Sequence, residues 1–532
     1  MMTVTAGSPT VPAAAEAPAR PMNGAEYLAS LQDEREVYFH GERVADVTTH
    51  PAFRNSARSV ARLYDALADP GADPALRVPT DTGNGGFTHP FFKVPHSSED
   101  LVAARDGIAA WQRLTYGWMG RSPDYMGSLM ATFGVNSDYY GPFKDNALRW
   151  YKEAQERVLF FNHAFVHPPI DRNRPADEVA DVCVHVDRET DAGLIVSGAK
   201  VVATNSVLTN ANFVAHNGLP VKDKKFGVMF TVPMDTRGLK VLCRGSYEMD
   251  AAATGSPFDR PLSSRFDEND AIMVLDEALV PWENVFIYDA EKANDFIIGA
   301  GFLERFTLHG CTRLAVKLDF IAGCALQAVE LTGAAGFRGV QAGLGEILAW
   351  RDLFWSLTDT MVKSPYPWVG GSVQPNLAAG LAYRVFMGQG YGRIKEILHR
   401  IVGSAMIYLN SHASDWKNPE IRPYLDRYLR GSGGVAAIDR VKLLKLLWDA
   451  VGTEFAGRHE LYERNYSGDS ETVAVQTAQI YLGSGLAEPL KAFARQCMSE
   501  YDTDGWTLPG FFGGDDVAVT YPGQPAADAA SA

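Results

Sequence analysis

Apolar residues recur every three or four positions through the first part of the chain, the spacing of one face of an α-helix. The pattern is clearest in residues 56–68, SARSVARLYDALA, and in residues 98–116, where Ser98 is a suitable N-cap. Residues 24–35 and 146–161 follow the same spacing. The pattern predicts a helical N-terminal domain over residues 22–165.

Short β-rich segments replace the helical pattern in the middle of the chain. They comprise residues 182–186, 193–204, 226–232, 239–243 and 271–275, with Gly, Pro, Asp and Asn between them. Apolar runs bounded by such residues are typical of strands joined by turns. The pattern predicts an antiparallel β domain over residues 166–290.

Long helices with apolar faces return after residue 290. The predicted helices are residues 302–331, 344–362, 376–401, 438–456 and 472–482. Such a series indicates a helical bundle, here over residues 291–515. Broad apolar faces also build oligomers, and we expect a homotetramer. The small and polar residues of 1–21 and 516–532 predict disordered tails.

Net charge and cysteine content narrow the class of protein. The 532-residue chain has a formal net charge of −15. Nucleic acids and anionic membranes bind clustered basic residues, so neither is expected as a partner. The sequence has no apolar stretch long enough to span a membrane. Its five cysteines are scattered and never spaced C-x-x-C, which fits a reducing cytoplasm better than a disulfide framework.

Common motifs for nucleotides, metals and nucleophilic serines are absent from the sequence. It contains no P-loop, no H-E-x-x-H pair and no G-x-S-x-G elbow. Residues 388–392, GQGYG, superficially resemble a dinucleotide-binding loop, but they lie inside a helical pattern with no strand before them. We therefore expect no metal site and no NAD(P)H site.

Residues 120–125, GRSPDY, carry the first candidate chemistry. Ser122 is a good N-cap, the next residue is a proline suited to the first helical position, and Asp124 suits the positive helix end. Arg121 and Tyr125 could then converge on a small anion such as a phenolate oxygen. The local pattern alone fits an arginine paired with a carboxylate and a tyrosine packed in the core at least as well.

Three further segments combine polar side chains with apolar surroundings. Asn162 and His163 stand among aromatic residues, where polar groups are costly to bury unless bonded. His163 could be a bonded core histidine, or it could hold or remove a phenol proton. The hydroxyls of Thr204 and Ser206 could face a ligand or form an ordinary turn. Residues 454–466 are dense in charge, which a subunit ion-pair network or a cofactor contact would explain.

Together these segments resemble the 4-hydroxyphenylacetate 3-hydroxylase oxygenase family across nearly the whole chain. The residues that carry the resemblance are 24–28 GAEYL, 47–51 VTTHP, 120–125 GRSPDY, 161–164 FNHA, 198–204 GAKVVAT, 457–463 GRHELYE and 502–506 DTDGW. The resemblance implies an α+β, acyl-CoA dehydrogenase-like fold with an N-terminal helical domain, a central antiparallel β-barrel domain and a C-terminal helical bundle. One relative with this fold, 4-hydroxybutyryl-CoA dehydratase, carries an iron–sulfur cluster, but no cysteine precedes His163 here, so no cluster is expected.

The resemblance also implies the activity. A small phenolic substrate is hydroxylated next to its existing hydroxyl to give a catechol, with O2 as co-substrate and oxygen transfer from a flavin C4a-hydroperoxide. FAD is used as diffusible FADH2 from a separate NAD(P)H-flavin reductase. By the same resemblance, Arg121, Tyr125 and His163 correspond to the residues around the phenol.

Flavin-contacting residues are implied in the same way. Residues 162–165 form one such segment, namely Asn162, His163, Ala164 and Phe165. Thr204 or Ser206 supplies a hydroxyl near the flavin N5, and Arg458 contacts the flavin from a neighbouring bundle.

Several alternatives stay open. Within the family, the substrate could be phenol itself, 4-hydroxyphenylacetate, a nitrophenol or a tyrosine derivative held on a carrier protein. An acyl-CoA dehydrogenase-like oxidoreductase would need a tightly held FAD and a catalytic carboxylate. A non-catalytic flavin-binding scaffold is the alternative from another class, although it has no need for buried, converging Arg, Tyr and His side chains.

Overall fold

The structure is a computed structural model that describes residues 20–171, 173–503 and 505–510. The predicted tails, 1–21 and 516–532, lie outside the described residues apart from Arg20 and Pro21. The described α-helices are α1 (Gly24–Ser30), α2 (Arg54–Ala68), α3 (Ser98–Thr115), α4 (Gly127–Val135), α5 (Lys144–Arg157), α6 (Tyr247–Thr254), α7 (Ala290–Gly299), α8 (Phe302–Leu331), α9 (Arg338–Lys363), α10 (Leu377–Ile407), α11 (Arg422–Tyr428), α12 (Ala437–Val451), α13 (Glu454–Asn465), α14 (Ser470–Gly483) and α15 (Ala487–Met498).

Strands are concentrated in the middle of the chain but also occur near its start. The described strands are β1 (Glu36–Phe39), β2 (Glu42–Arg43), β3 (Val78–Pro79), β4 (Phe87–Thr88), β5 (Phe161–Val166), β6 (His185–Thr190), β7 (Gly193–Thr204), β8 (Ala211–Asn217), β9 (Val228–Pro233), β10 (Leu239–Leu242), β11 (Asp270–Pro281), β12 (Val285–Tyr288), β13 (Tyr366–Pro367), β14 (Val373–Gln374), β15 (Tyr501–Asp502) and β16 (Gly505–Trp506). The mixture of helices and strands agrees with the predicted α+β class.

Two sheets form the central β region. The larger has the strand order β2-β1-β10-β11-β7-β6, and the smaller has the order β12-β9-β8-β5. The prediction of a purely antiparallel region is wrong for two pairs, since β1 runs parallel to β10 and β5 runs parallel to β8. Parallel neighbours need a long crossover, and β6 and β7 lie between β5 and β8 in the chain. Among the described strands of this central region, hydrogen bonding gives two open sheets and no closed barrel, so the barrel stays a prediction.

The helical N-terminal region differs from its prediction at two ends. Helix α1 stops at Ser30, and residues 36–39, EVYF, form β1 with alternating burial. Helix α5 stops at Arg157, because Val158 adopts a left-handed conformation with φ 48°. The apolar residues that follow it enter β5 instead of a last helical turn.

The helical bundle is organised around α8. This helix has the predicted bounds, and every residue from Phe302 to Leu318 is buried. It packs against α3, α4, α9, α10 and α12. The single helix predicted over residues 438–456 is two helices, α12 and α13, separated at Gly452. Residues 388–392 lie inside α10, as predicted, and do not form a nucleotide loop.

A second compact unit begins at Asn465. Its described residues form α14, α15 and the β15–β16 hairpin, in which Tyr501 pairs with Trp506. Within the described parts of the chain, no helix combines the length and the hydropathy needed to cross a membrane.

Candidate active site

The GRSPDY segment is a tight loop that precedes α4. The prediction that a helix begins at its proline is wrong, because α4 begins only at Gly127. Ser122 caps no helix: its hydroxyl donates to Asp124 Oδ1 at 2.5 Å and accepts from Gln112 at 2.8 Å. The segment forms consecutive turns instead, with the Tyr125 N–H donating to the Ser122 carbonyl at 3.0 Å. These turns still bring Arg121 and Tyr125 onto the same side.

Arg121, Tyr125 and His163 converge as the sequence predicts. The Arg121 guanidinium lies over the Tyr125 ring, with its Cζ 4.1 Å from the ring centroid. The Tyr125 and His163 rings are 5.3 Å apart between centroids. Arg121 is 5% exposed and Tyr125 is fully buried. A cation, a phenol ring and an imidazole therefore share one wall, in an arrangement that can bind a phenolate and its proton.

His163 is the partly exposed member of this group. It lies on β5, where side chains alternate between the two faces of the sheet. Its Nδ1 is enclosed and has no hydrogen-bond partner among the described residues. Burial and the neighbouring Arg121 charge hold the pKa of His163 well below its ordinary value. The imidazole is therefore neutral at neutral pH and can accept a proton or a hydrogen bond.

The neighbours of His163 on β5 divide between the two faces. Phe165 lies on the same face, with its ring 4.3 Å from that of His163. Asn162 and Ala164 point to the other face and are buried. The Asn162 side chain donates to the carbonyl of Thr204, which ties β5 to the end of β7. Of the segment 162–165, only His163 is partly open to a ligand.

Aromatic side chains surround the open face of His163. Phe165 contacts Phe302 with ring centroids 5.8 Å apart, and Phe302 stacks on Phe306 at 5.4 Å. Phe306 in turn meets the Tyr125 ring edge to face at 6.4 Å. The first turns of α8 thus provide an apolar wall beside the polar group.

The two hydroxyls at the end of β7 are not equivalent. Thr204 donates to Asp270 Oδ1 at 2.7 Å, so its oxygen is left free to accept from a ligand. Ser206 is fully buried and donates to Asn212 at 3.2 Å. Between them Asn205 adopts φ 62° and its side chain donates to the Arg121 carbonyl at 3.4 Å. Thr204 is therefore the better placed of the two predicted hydroxyls.

Arg458 lies in a network of carboxylates of the same chain. Its guanidinium donates to both oxygens of Asp270, at 2.8 and 2.7 Å, and to Glu268 at 3.3 Å. Glu268 also accepts the backbone N–H of Arg121 at 2.6 Å. Burial opposes ionisation of Asp270, but the charge of Arg458 outweighs it and lowers the pKa of Asp270. The network connects Thr204 to Arg121 through Asp270, Arg458 and Glu268.

Sequence reasoning missed Glu268 and Asp270. Most of their partners are distant, since Thr204 lies 66 residues before Asp270 and Arg458 lies 188 residues after it. A short acidic segment before a strand also has no distinctive pattern. Asp124 was assigned only to a helix end, yet its carboxylate lies 3.3 Å from His309 Nε2 in the core. His309 itself lies within the apolar run of α8, where nothing in the local pattern marks it.

Comparisons with known proteins agree with this arrangement. Residues 23–287 match the family described as 4-hydroxyphenylacetate 3-hydroxylase N terminal, and residues 293–495 match its C terminal part. The chain is 69% identical over 500 residues to a 4-nitrophenol 2-monooxygenase oxygenase component from Rhodococcus sp, covering 94% of this chain and 96% of the relative. It is 59% identical over 499 residues to a Streptomyces globisporus monooxygenase of (3S)-3-amino-3-(3-chloro-4-hydroxyphenyl)propanoyl-peptidyl-carrier protein, covering 94% of each chain.

A solved structure has the same fold. The crystal structure of the oxygenase component of 4-hydroxyphenylacetate 3-monooxygenase, complexed with FAD and 4-hydroxyphenylacetate, superposes with a TM-score of 0.83 at 30% identity. The superposition covers 90% of this chain and 99% of the solved chain. These matches extend over both sheets and the bundle and confirm the expected acyl-CoA dehydrogenase-like class of α+β fold. The chain belongs to the 4-hydroxyphenylacetate 3-hydroxylase family.

Proposed function

We propose that this chain is the oxygenase component of a two-component monooxygenase that hydroxylates a phenol next to its hydroxyl. One oxygen atom of O2 enters the ring to give a catechol, the other leaves as water, and FADH2 is oxidised to FAD. The observation that carries the proposal is the convergence of Arg121, Tyr125 and His163, with Arg121 Cζ 4.1 Å from the Tyr125 ring centroid and His163 beside it.

Each of the three residues has a different role toward the substrate. Arg121 supplies positive charge to the phenol oxygen, which favours the phenolate and makes the ortho carbon a better nucleophile. Tyr125 orients that oxygen by hydrogen bonding. His163, neutral because its pKa is lowered, accepts the phenol proton at Nδ1 or holds it in a hydrogen bond. The Phe165, Phe302 and Phe306 rings exclude water from the reacting carbon.

Residues around Thr204 fit a reduced flavin. The Thr204 hydroxyl has given its hydrogen to Asp270 and can only accept from a ligand, as a donor such as a flavin N5–H requires. When bound, the flavin supplies the electrons that activate O2. Asn162, Ala164 and Phe165 hold β5 in place beside that site. Arg458 holds Asp270 in place in this chain. A direct contact between Arg458 and the flavin is also proposed.

A turnover assay tests the function. Purified protein supplied with FADH2, O2 and a phenol is expected to form a catechol, and NADH alone is not expected to support turnover. Parallel reactions with phenol, 4-nitrophenol, 4-hydroxyphenylacetate and a carrier-bound tyrosine derivative identify the substrate. Catechol formation from NADH without a reductase would refute the two-component reading.

Variants of the site separate binding from hydroxylation. Arg121→Ala and His163→Ala are expected to consume FADH2 yet release hydrogen peroxide instead of catechol. Arg188→Ala is the matched control, because this arginine has a 57% exposed side chain on the larger sheet. Wild-type coupling in both site variants would refute the site assignment.

Assembly and domain organisation are part of the same proposal. We propose domains over residues 22–165, 166–290 and 291–515, with a β-barrel in the second, and a cytoplasmic homotetramer served by a separate NAD(P)H-flavin reductase. Large apolar side chains on the surface support the assembly, with Ile407 74% and Tyr428 68% exposed in the single chain. Light scattering is expected to give about four times the chain mass of 58.1 kDa.

A further inference from the structure

A carboxylate and an imidazole lie in contact behind Tyr125. Asp124 Oδ1 is 3.3 Å from His309 Nε2, and both side chains have no exposed surface. Apart from this contact, neither imidazole nitrogen of His309 has a hydrogen-bond partner among the described residues, and the same is true of Asp124 Oδ2. Asp124 Oδ1 also accepts from the Ser122 hydroxyl at 2.5 Å, so His309 is one of two side chains in contact with this oxygen.

The neighbours of Asp124 stabilise its charged form. A buried carboxylate that has lost its partners costs several kcal/mol, about the penalty of a broken buried ion pair. Although burial acts the other way, His309 and the Ser122 hydrogen bond lower the pKa of Asp124. The contact with His309 is therefore one of the interactions that hold the Asp124 carboxylate in the core.

Both members of the pair contact the proposed phenol site through Tyr125. Asp124 is the residue before Tyr125 in the loop, and its carbonyl accepts from the Gly127 N–H at 2.9 Å. The His309 ring stands at 79° to the Tyr125 ring with centroids 5.3 Å apart. Arg121 lies against the same Tyr125 ring. The Tyr125 ring is thus enclosed by one cation from its own loop and by a second group from α8.

We propose that Asp124 and His309 are positioning residues for the hydroxylation. Their contact joins the GRSPDY loop to α8 and fixes the Tyr125 ring between His309 and Arg121. The Tyr125 hydroxyl then meets the substrate oxygen in one orientation. This inference rests on the proposed function, since it assigns the pair to the site that orients the phenol.

Two conservative variants test the role. Asp124→Asn and His309→Gln approximately keep the size of each side chain but remove the carboxylate–imidazole contact. Because small misplacements of a reacting group cost up to about 100-fold in rate, both are expected to lower kcat by about 10- to 100-fold. KM for the phenol and the rate of FADH2 consumption are expected to stay close to wild type. Catechol formed per FADH2 then falls, while hydrogen peroxide rises.

His89→Gln is the matched control. His89 is equally buried and stacks on Trp111, with ring centroids 4.4 Å apart. It is expected to lower the melting temperature without changing coupling. Coupling losses of the same size in all three variants would reduce the pair to ordinary core packing and overturn the inference.

Neutron diffraction of the deuterated wild-type protein gives a readout independent of turnover. Deuterium is expected on His309 Nε2, which faces Asp124, and on neither oxygen of Asp124. A His309 Nε2 without deuterium would overturn the inference even where Asp124→Asn fails to fold. A wild-type protein that hydroxylates none of the phenols would instead sink the proposed function, and the neutron result would still decide whether the contact is a hydrogen bond.

Discussion

Replacing Asp270 with asparagine tests whether the carboxylate network holds the candidate site together. Asp270 accepts two hydrogen bonds from Arg458, one from Arg244 at 3.1 Å and one from Thr204 at 2.7 Å. An asparagine keeps one oxygen but turns an amide N–H₂ toward a guanidinium, where a donor meets a donor. The change therefore removes one partner of a largely buried ion pair and leaves the other in place.

The expected loss of stability depends on the ion pairs that Arg458 and Arg244 retain. Removing one partner of a buried pair costs about 3–5 kcal/mol. Arg458 retains Glu268 at 3.3 Å, and Arg244 retains Asp267 at 2.9 Å. We therefore expect the lower end, about 3 kcal/mol. At about 2–4 °C per kcal/mol for a domain of ordinary size, the melting temperature should fall by about 6–12 °C.

Asp276→Asn is the matched control on the same strand. Asp276 pairs with Lys240 at 2.6 Å, but its side chain is 61% exposed. An exposed pair contributes about 0–1 kcal/mol, so the melting temperature should change by less than about 4 °C. Differential scanning calorimetry of both variants measures the contrast. Equal shifts in the two variants would refute the reasoning that the network is a buried, structure-holding element.

The effect of Asp270→Asn on the melting temperature should also depend on pH. The pKa of Asp270 is lowered in the folded protein, so its contribution is fully present above the ordinary aspartate value and is lost as pH falls below it. The difference in melting temperature between wild type and Asp270→Asn should therefore stay constant from pH 7 down to the ordinary aspartate value and shrink as the pH is lowered further. A difference that stays constant at those lower pH values would contradict the assigned charge.

Three further predictions concern buried groups elsewhere. Glu463→Gln removes the partner of Arg313 and Lys317 and should lower the free energy of unfolding by about 3–5 kcal/mol, measured by denaturant titration. Those cations lower the pKa of Glu463 to about 2 despite its burial. The loss should therefore diminish as the pH falls from the ordinary glutamate pKa toward 2. Burial lowers the pKa of Lys200 to about 7, so stability should rise with pH from 7 toward the ordinary lysine value, and Lys200→Met should abolish that rise in melting temperature. An added Cβ at Gly120 would overlap the Tyr462 ring, so Gly120→Ala should displace Arg121 and raise hydrogen peroxide release per FADH2.

Local pattern was sufficient where one element determines its own burial. Helix α8 and strand β7 have the predicted bounds. The pattern of apolar residues is continuous in both, and no proline interrupts the helix. The pattern failed where a neighbour decides the structure. Residues 36–39 form β1 because β10 offers parallel backbone partners, such as Lys240 for Glu36. No periodicity in a four-residue segment reports a partner 200 residues away.

The candidate site divides in the same way. Arg121, Tyr125 and His163 could be selected because their residue types suit a phenol and because the surrounding motifs resemble a family. The conformation of the loop could not be predicted, because the Ser122 hydroxyl bonds to Asp124 and Gln112 instead of capping a helix. Side-chain hydroxyls and carboxylates have several competing partners near in space. Sequence does not rank such partners even when, like Asp124, they are near in the chain.

The groups that hold the site are polar, which has a consequence for how it is specified. Apolar side chains can slide past one another at little cost as long as volume is conserved. A buried carboxylate such as Glu268 gains only when particular donors, here the Arg121 N–H and Arg458, lie within hydrogen-bond distance. Three segments distant in sequence therefore meet in one register and not in a range of similar packings. Reactions that need a ring carbon placed to within a fraction of an ångström benefit from that restriction.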